Sequence, residues 1–506
     1  MIQLHLPWLE LAILLPLLGA LWVRRQSNPE TARFRALIAS GATLICTIGV
    51  LIDFSLLHVF EAHDKWDLFA GLLPRDMFVV DELSAPLLPL GAMLYFLTQL
   101  ATLRTKVRRF SFSWTLFSES VLLATLACKA PWGVIALLAI GTIPPYFELR
   151  HRQKPTRVYV LHMGLFVTLL VAGQALIHHE GAHSVHSALA IGLIAAAVLL
   201  RSGIVPVHCW MTDLFEHASF GTALLFVTPM VGAYGAMRLV LPVAPDSILQ
   251  AISFVSLFTS VYAAGMALVQ QNSRRFFCYL FLSHSSLVLV GLESATALGL
   301  TGALCVWLSV GLSLGGFGIT LRCVETRCGE LSLKHYHGLF EHMPILAGFF
   351  LLTGLASIGF PGTIGFIAVE LLVEGAIDVT PWAGVAVVIA AALNGLAVMH
   401  AYFHVFTGTV NKSSIDLSGR RPERLAVLVL TVLILGGGVF PGYGVASRYH
   451  AALELIRSRS KSGLHVLEPE ENLNPSDPSP HGEHDDHSDD DDHDDDHGDG
   501  DDDHDD

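Results

Sequence analysis

Apolar runs of about 20 residues recur along this chain from residue 8 to residue 442, each long enough to cross a bilayer core of about 30 Å. About fourteen spans are predicted: 8–23, 35–57, 80–102, 111–128, 131–148, 157–177, 185–206, 221–241, 248–270, 277–296, 298–321, 343–372, 382–406 and 424–442. Lys129-Ala130-Pro131 punctuates the fourth and fifth as a hairpin turn. The N-terminal run lacks a basic n-region and a small-residue cleavage site, so it reads as a first span and not as a removed signal. Charged residues make up 15% of the chain, against roughly 25% in a soluble domain. The expected class is an all-α polytopic membrane protein.

The formal net charge of −15 belongs to the tail. Residues 477–506 hold 17 acids and no Lys or Arg, which leaves 28 acids against 30 basic residues elsewhere. Residues 466–506 are a low-complexity stretch rich in Pro, Asp, His, Ser and Gly, too polar to offset their ordering entropy, and are expected to be disordered. Weak divalent-metal capture by His484, His487, His493 and His497 competes with a plain solvated acidic tail.

Basic residues divide sharply between alternate loops. The odd-numbered loops carry 21 Lys and Arg; the even-numbered loops carry Lys65, Arg75 and Lys129. Positive loops stay in the cytoplasm, which sets the N-terminus outside and the odd loops inside a cell (inner) membrane. Arg448, Arg457, Arg459 and Lys461 fall on the opposite side, and the segment 446–465 is expected to form an interfacial helix after a transmembrane domain of residues 1–445.

A membrane helix tolerates a broken backbone only where the break is buried in protein or lines a watery cavity. Two spans are broken. Gly203 and Pro206 follow Arg201 in the seventh, and Gly359, Pro361, Gly362 and Gly365 precede Glu370 in the twelfth. Paired interruptions five spans apart point to two inverted five-helix repeats with an ion path at the midplane. Ionisable residues within spans are the candidates for that path. Arg201 cannot release its proton, so it sets a field or holds an anion. Glu370 and Glu374 stand one turn apart on one helix face, an arrangement suited to cation handling. Glu119 is an acid among apolar neighbours in the fourth span. His208, Asp213, Glu216 and His217 follow the seventh-span break, as an entry funnel or as an ordinary polar loop. His400 and His404 have the i, i+4 spacing of a shared metal site, a proton relay or an interfacial pair, and His284 is a further relay candidate.

Nothing in the sequence points to redox or nucleotide chemistry. Seven cysteines are scattered without a CxxC, and there is no P-loop, dinucleotide motif or haem motif. No cofactor, nucleotide or nucleic acid is expected, and no enzymatic role; energy must come from an ion gradient or a partner.

Three stretches carry a resemblance. FVVDELSAPLLPLGAMLYFL (78–97), RSGIVPVHCWMTDLF (201–215) and GLFEHMPILAGFFLLTGLASIGFPGTIGF (338–366) resemble the third, seventh and twelfth spans of the antiporter-like, proton-conducting membrane subunits of complex I and Mrp-type antiporters. The resemblance covers residues 1–445 and implies a fourteen-helix fold with a polar axis at mid-membrane. It places the family's seventh-span lysine on Arg201 and its fourth-span glutamate on Glu119. The fifth-span glutamate finds no acid in 135–147, the eighth-span basic residue falls on 226–230, and the tenth-span lysine falls on the apolar run 308–318. The twelfth-span charge falls on Val369, beside Glu370. Within the family the chain looks most like DabB, the membrane subunit of bacterial inorganic-carbon pumps. That resemblance implies a soluble, zinc-containing DabA-type partner and a cation flux driving conversion of CO2 to bicarbonate. The alternatives are a proton-translocating subunit of a complex I-like NADH-quinone oxidoreductase, a Na⁺/H⁺ antiporter module, and a conduction-dead scaffold subunit.

Overall fold

The computed structural model describes residues 3–65, 77–103, 110–181, 186–292, 296–377, 380–409 and 417–461. The described residues all belong to one compact unit. The tail histidines His484, His487, His493 and His497, and the basic residues of 104–109, lie outside the described residues.

The chain is an all-α polytopic membrane protein. Its helices are α1 Trp8–Arg24, α2 Pro29–Leu57, α3 Leu87–Leu100, α4 Phe112–Ala127, α5 Pro131–Gly141, α6 Ile143–His151, α7 Arg157–Glu180, α8 Ala188–Ser202, α9 Cys209–His217, α10 Phe220–Val227, α11 Val231–Gly235, α12 Asp246–Val269, α13 Ser273–Val290, α14 Ala297–Cys328, α15 Pro344–Ser357, α16 Ile364–Ile377, α17 Pro381–Phe406, α18 Arg421–Val439 and α19 Gly442–Lys461. A π-helical turn, Ala236–Val240, extends α11, and a two-residue hairpin pairs Glu61–Ala62 with Val80–Asp81. Among the described residues eight helices are long and apolar enough to cross a membrane, and α3, α4, α8 and α15 are shorter apolar helices. Side-chain oxygens of Asn28, Ser187, Ser219, Asn272 and Thr296 accept from first-turn N–H groups and fix where α2, α8, α10, α13 and α14 begin.

The expected breaks are present. α8 stops at Gly203, whose φ of 74° an L side chain rarely adopts, and α15 is separated from α16 by Gly359 and Gly362, each with φ 85°. Two further crossings are broken that the sequence reading left whole. The fifth divides at Thr142, just before Pro144 and Pro145. The eighth divides at Pro229-Met230, and the freed Pro229 carbonyl accepts from Trp307 Nε1 at 3.3 Å.

The spine is α14. Its 32 residues span about 48 Å and are buried along nearly the whole length. Glycines let neighbours approach its backbone. A Cβ on Gly302 would meet Leu372 N at 2.5 Å, and one on Gly375 would meet Gly299 Cα at 2.4 Å, so α14 and α16 lie backbone to backbone. The outward surface is apolar, with Ile45, Leu161, Leu189 and Val385 all more than 60% exposed.

Ion pairs gather at the two ends of the bundle. At the odd-loop end Arg274 meets Glu325, Arg275 meets Glu216 at 2.6 Å, and Arg327 grips Glu423 with two bonds of 2.8 and 2.5 Å. At the even-loop end Arg238 meets Asp81 at 2.6 Å, Lys129 meets Glu61 at 2.5 Å, and Arg459 meets Asp246. The segment expected at the interface belongs to α19, and two of its arginines do not lie free there. Arg448 and Arg459 are buried, and Arg448 donates to the carbonyls of Glu82 and Leu83.

Two expectations follow. Gly302→Leu forces a side chain into the α16 backbone and lowers stability by about 1–3 kcal/mol, read as a reduced thermal midpoint of the detergent-solubilised protein. Burial pushes the Glu454 carboxyl of α19 up from 4.5 to about 7, so the fold favours its protonated form. That contribution is whole below pH 4.5 and is lost as pH rises through about 7. Glu454→Gln retains it at every pH; the wild-type midpoint, measured relative to the variant's, therefore falls across this window.

Candidate functional site

The buried polar groups of the interior start at Glu119. It lies fully buried on α4. Ser40 Oγ of α2 donates to its Oε1 at 3.2 Å. Gln99 of α3 stands beside the same carboxyl, yet neither its amide atoms nor Glu119 Oε2 completes a hydrogen bond of normal geometry. Three unsatisfied atoms in one apolar interior call for water. On the odd-loop side the polar trail continues through Thr98 and Thr102 to Arg322 of α14, whose guanidinium donates 2.8 Å bonds to Thr98 O and Thr102 Oγ1. Arg322 lines an open cavity of about 280 Å³ with Thr102, Arg274, Glu325 and Thr326.

On the other side Tyr95 OH and Ser118 Oγ are 2.9 Å apart, one residue along α4 from Glu119. Both line a cavity of about 30 Å³, room for a water, whose wall includes Arg201 and Gly141. Arg201 stands in the last turn of α8, 4% exposed. It donates to Phe226 O at 3.1 Å, and its guanidinium centre lies 4.0 Å from the Phe226 ring and 5.5 Å from Trp210. Among the described residues no carboxylate forms a salt bridge with it; a carbonyl and two aromatic faces hold the charge.

Beyond the first break the interior is polar but almost uncharged. Val205 N, in the break, donates to Thr259 Oγ1 of α12 at 3.1 Å. The next residue, Ser260, accepts at its carbonyl from Ser283 of α13 at 2.8 Å, and Asn394 Nδ2 of α17 donates to Ser283 Oγ at 2.8 Å. Asn394 Oδ1 is buried without a partner. His284 is 3% exposed, bonds through Nδ1 to Leu280 O at 2.8 Å and lies beside Ser357, the residue before the second break. The two breaks are thus linked by Thr259, Ser260, Ser283, Asn394 and His284.

Several expected site residues are elsewhere. Glu370 and Glu374 are exposed on the outward face of α16, because Gly365, Ala368, Leu372 and Gly375 take the inward face. They do not join the interior line. Pro206, Pro361 and Gly362 are exposed too, so each break shows one side to the surroundings. His208 stands apart from its supposed funnel, with Nε2 3.4 Å from Tyr279 OH. Asp213 pairs with His217 at 3.1 Å and Glu216 with Arg275. His400 and His404 have ring centroids 4.2 Å apart, and His404 stacks on Tyr336 at 4.5 Å. The two rings are tilted by 39°, and among the described residues no group of three metal-type ligands includes them. Sequence reading missed Gln99, Tyr95, Arg322, Ser283 and Asn394. Of these only Asn394, an amide in AALNGLA, and Arg322, a charge ending an apolar run, leave a visible mark in the sequence.

Residues 159–394 match the transmembrane family described as NADH:quinone oxidoreductase/Mrp antiporter. NADH-quinone oxidoreductase subunit M of Rickettsia prowazekii is 23% identical over 489 residues, covering 89% of this chain and 99% of that one. Subunit 13 of the Thermus thermophilus enzyme is 27% identical over 254 residues, 49% of this chain and 54% of its own. In fold, a chain of Thermus thermophilus respiratory complex I superposes with a TM-score of 0.78 at 21% identity, covering 89% of this chain and 99% of that one. A chain of the Mrp complex from Dietzia gives 0.77 at 17% identity, covering 90% and 99%. These relatives favour the oxidoreductase or antiporter alternative over the carbon pump, and none of them supports a zinc-bearing DabA-type partner. The chain is similar, in sequence along its central crossings and in fold over nearly nine-tenths of its length, to the antiporter-like membrane subunits of the NADH:quinone oxidoreductase/Mrp antiporter family.

Proposed function

We propose that this chain is the proton-conducting membrane subunit of a multisubunit complex of the complex I or Mrp antiporter type, and that Glu119 is its proton-carrying group. The observation that carries the reading is the Glu119 carboxyl: fully buried, held by Ser40, with one oxygen left unsatisfied beside an equally unsatisfied Gln99. Such a carboxyl has no structural need to be there, because an apolar residue would pack at lower cost. It does have proton neighbours on both sides. The Arg322 cavity approaches from the odd-loop face, which the loop charges assign to the cytoplasm. Tyr95, Ser118 and the small cavity lead to Arg201. Arg201 keeps its charge and takes no proton. It acts as a fixed positive barrier at the first break, to be crossed when partner subunits change its surroundings. From there Ser260, Ser283, Asn394 and His284 supply hydrogen-bonding groups toward the second break. The crossings up to about residue 445 carry the ion route, the segment 446–465 braces it, and the tail 466–506 takes no part. Any redox chemistry belongs to other subunits of the complex.

The test is proton flux into liposomes holding the intact complex, followed with a pH-sensitive dye. Glu119→Gln keeps the size and the hydrogen bond but not the titration, and is expected to lower flux by roughly a hundredfold while the complex still assembles. Arg201→Ala is expected to uncouple flux from its driving reaction. Undiminished flux in Glu119→Gln refutes the assignment. The route also predicts unequal access. In protein with the exposed Cys209 changed to Ser, Thr326→Cys in the large cavity should react with a hydrophilic maleimide at least about tenfold faster than Ser118→Cys beside the water-sized one.

A further inference from the structure

The outward face of α16 carries two carboxylates where a membrane helix ordinarily shows only apolar side chains. Phe366, Glu370, Glu374 and Ile377 follow one another at helical spacing along a single exposed stripe. Glu370 lies seven residues before the end of α16, about 10 Å inside the crossing. That is deeper than a glutamate side chain reaches by bending toward the interface, and a charge facing hydrocarbon there is costly.

The helix cannot turn these acids inward. Its opposite face is locked on α14, where Gly302 and Gly375 bring the two backbones into contact, and a Cβ at Gly365 would lie 2.1 Å from Ala356 O. Rotation by one position would drive Leu372 into the α14 backbone. Within the chain, among the described residues, neither acid has a salt-bridge partner. The surroundings of the stripe are smooth and apolar, with Trp382, Val385 and Ile389 of α17 also outward.

The geometry points to a subunit interface: the Phe366–Glu370–Glu374 stripe of α16 docks a crossing of another membrane subunit that carries a Lys, Arg or His at matching depth. Charge complementarity selects this occupant. Lipid tails offer no donor, and a purely apolar helix would leave two carboxyls desolvated and unpaired. The basic partner removes that cost and fixes the register, since two acids one turn apart accept only a matching height. The inference rests on the reading of this chain as one subunit among several.

The experiment places the photo-crosslinker p-benzoylphenylalanine at Phe366 in cells that make the intact complex. The same probe at Leu165, on the exposed face of α7, is the control. The expected adduct from Phe366 is a membrane-spanning peptide containing a basic residue, and Glu370→Leu with Glu374→Leu lowers recovery of that polypeptide in the purified complex by about tenfold, a difference of about 1.4 kcal/mol. An adduct with lipid alone, with a span lacking any basic residue, or an unchanged recovery in the double variant overturns the inference. The outcomes separate from those of the conduction reading. A lipid-only adduct in a complex whose flux still depends on Glu119 sinks the interface alone, whereas the expected adduct in a complex indifferent to Glu119→Gln sinks the conduction reading alone.

Discussion

Inside a bilayer no water satisfies a free backbone group, and this one constraint shapes the interior of the molecule. Wherever a helix stops early, something in the protein must take up the loose ends. At the first break Gly203 and Ile204 turn their N–H groups back to Leu200 and Leu199, and Val205 is received by Thr259. At the second, Ile358, Gly359 and Phe360 turn back in the same way onto α15. Thr259, which receives Val205, is the chain neighbour of Ser260, and His284, which lies beside Ser357 at the second break, is the chain neighbour of Ser283.

Charge is distributed by the same logic. Ionic pairs sit at the two ends of the bundle, and Arg238–Asp81, Arg274–Glu325 and Arg327–Glu423 are largely shielded from water there. Among the described residues the buried middle holds Glu119 and Arg201, separated by Tyr95 and a water-sized cavity. They do not neutralise one another directly. An acid and a base in contact at that depth would be a static strut. Held apart by a phenol and a small cavity, each remains able to respond to a change in its surroundings.

The sequence told depth better than direction. Apolar run length, loop charge and Gly-Pro clusters gave the polytopic membrane class and the breaks at 203–206 and 359–362, because those features report where along the membrane normal a residue lies. Azimuth depends on which face of a helix meets which neighbour. Glu370 looked central because it follows a break, and it faces outward because glycines on the other side of α16 fit α14. Neutral partners were equally hidden. Ser283, Ser260 and Asn394 are common residue types, and only their convergence from three helices makes them a line. Proline pairs at 144–145 and the single Pro229 broke two more crossings that length alone had left whole.

The last helix changes the mechanical character of the bundle. α19 lies beside α14, and Arg448 reaches back more than 360 residues to the carbonyls of Glu82 and Leu83, just after the hairpin whose Asp81 holds Arg238. Arg459 ties the same helix to Asp246 at the start of α12. The chain is thus hooped at one end, its final segment strapped to its early and middle thirds. A hoop confines bending to what it does not encircle. A motion of the broken crossings that left these straps intact and parted the odd-loop ion pairs would pivot about the even-loop end and open toward the cavity lined by Arg322.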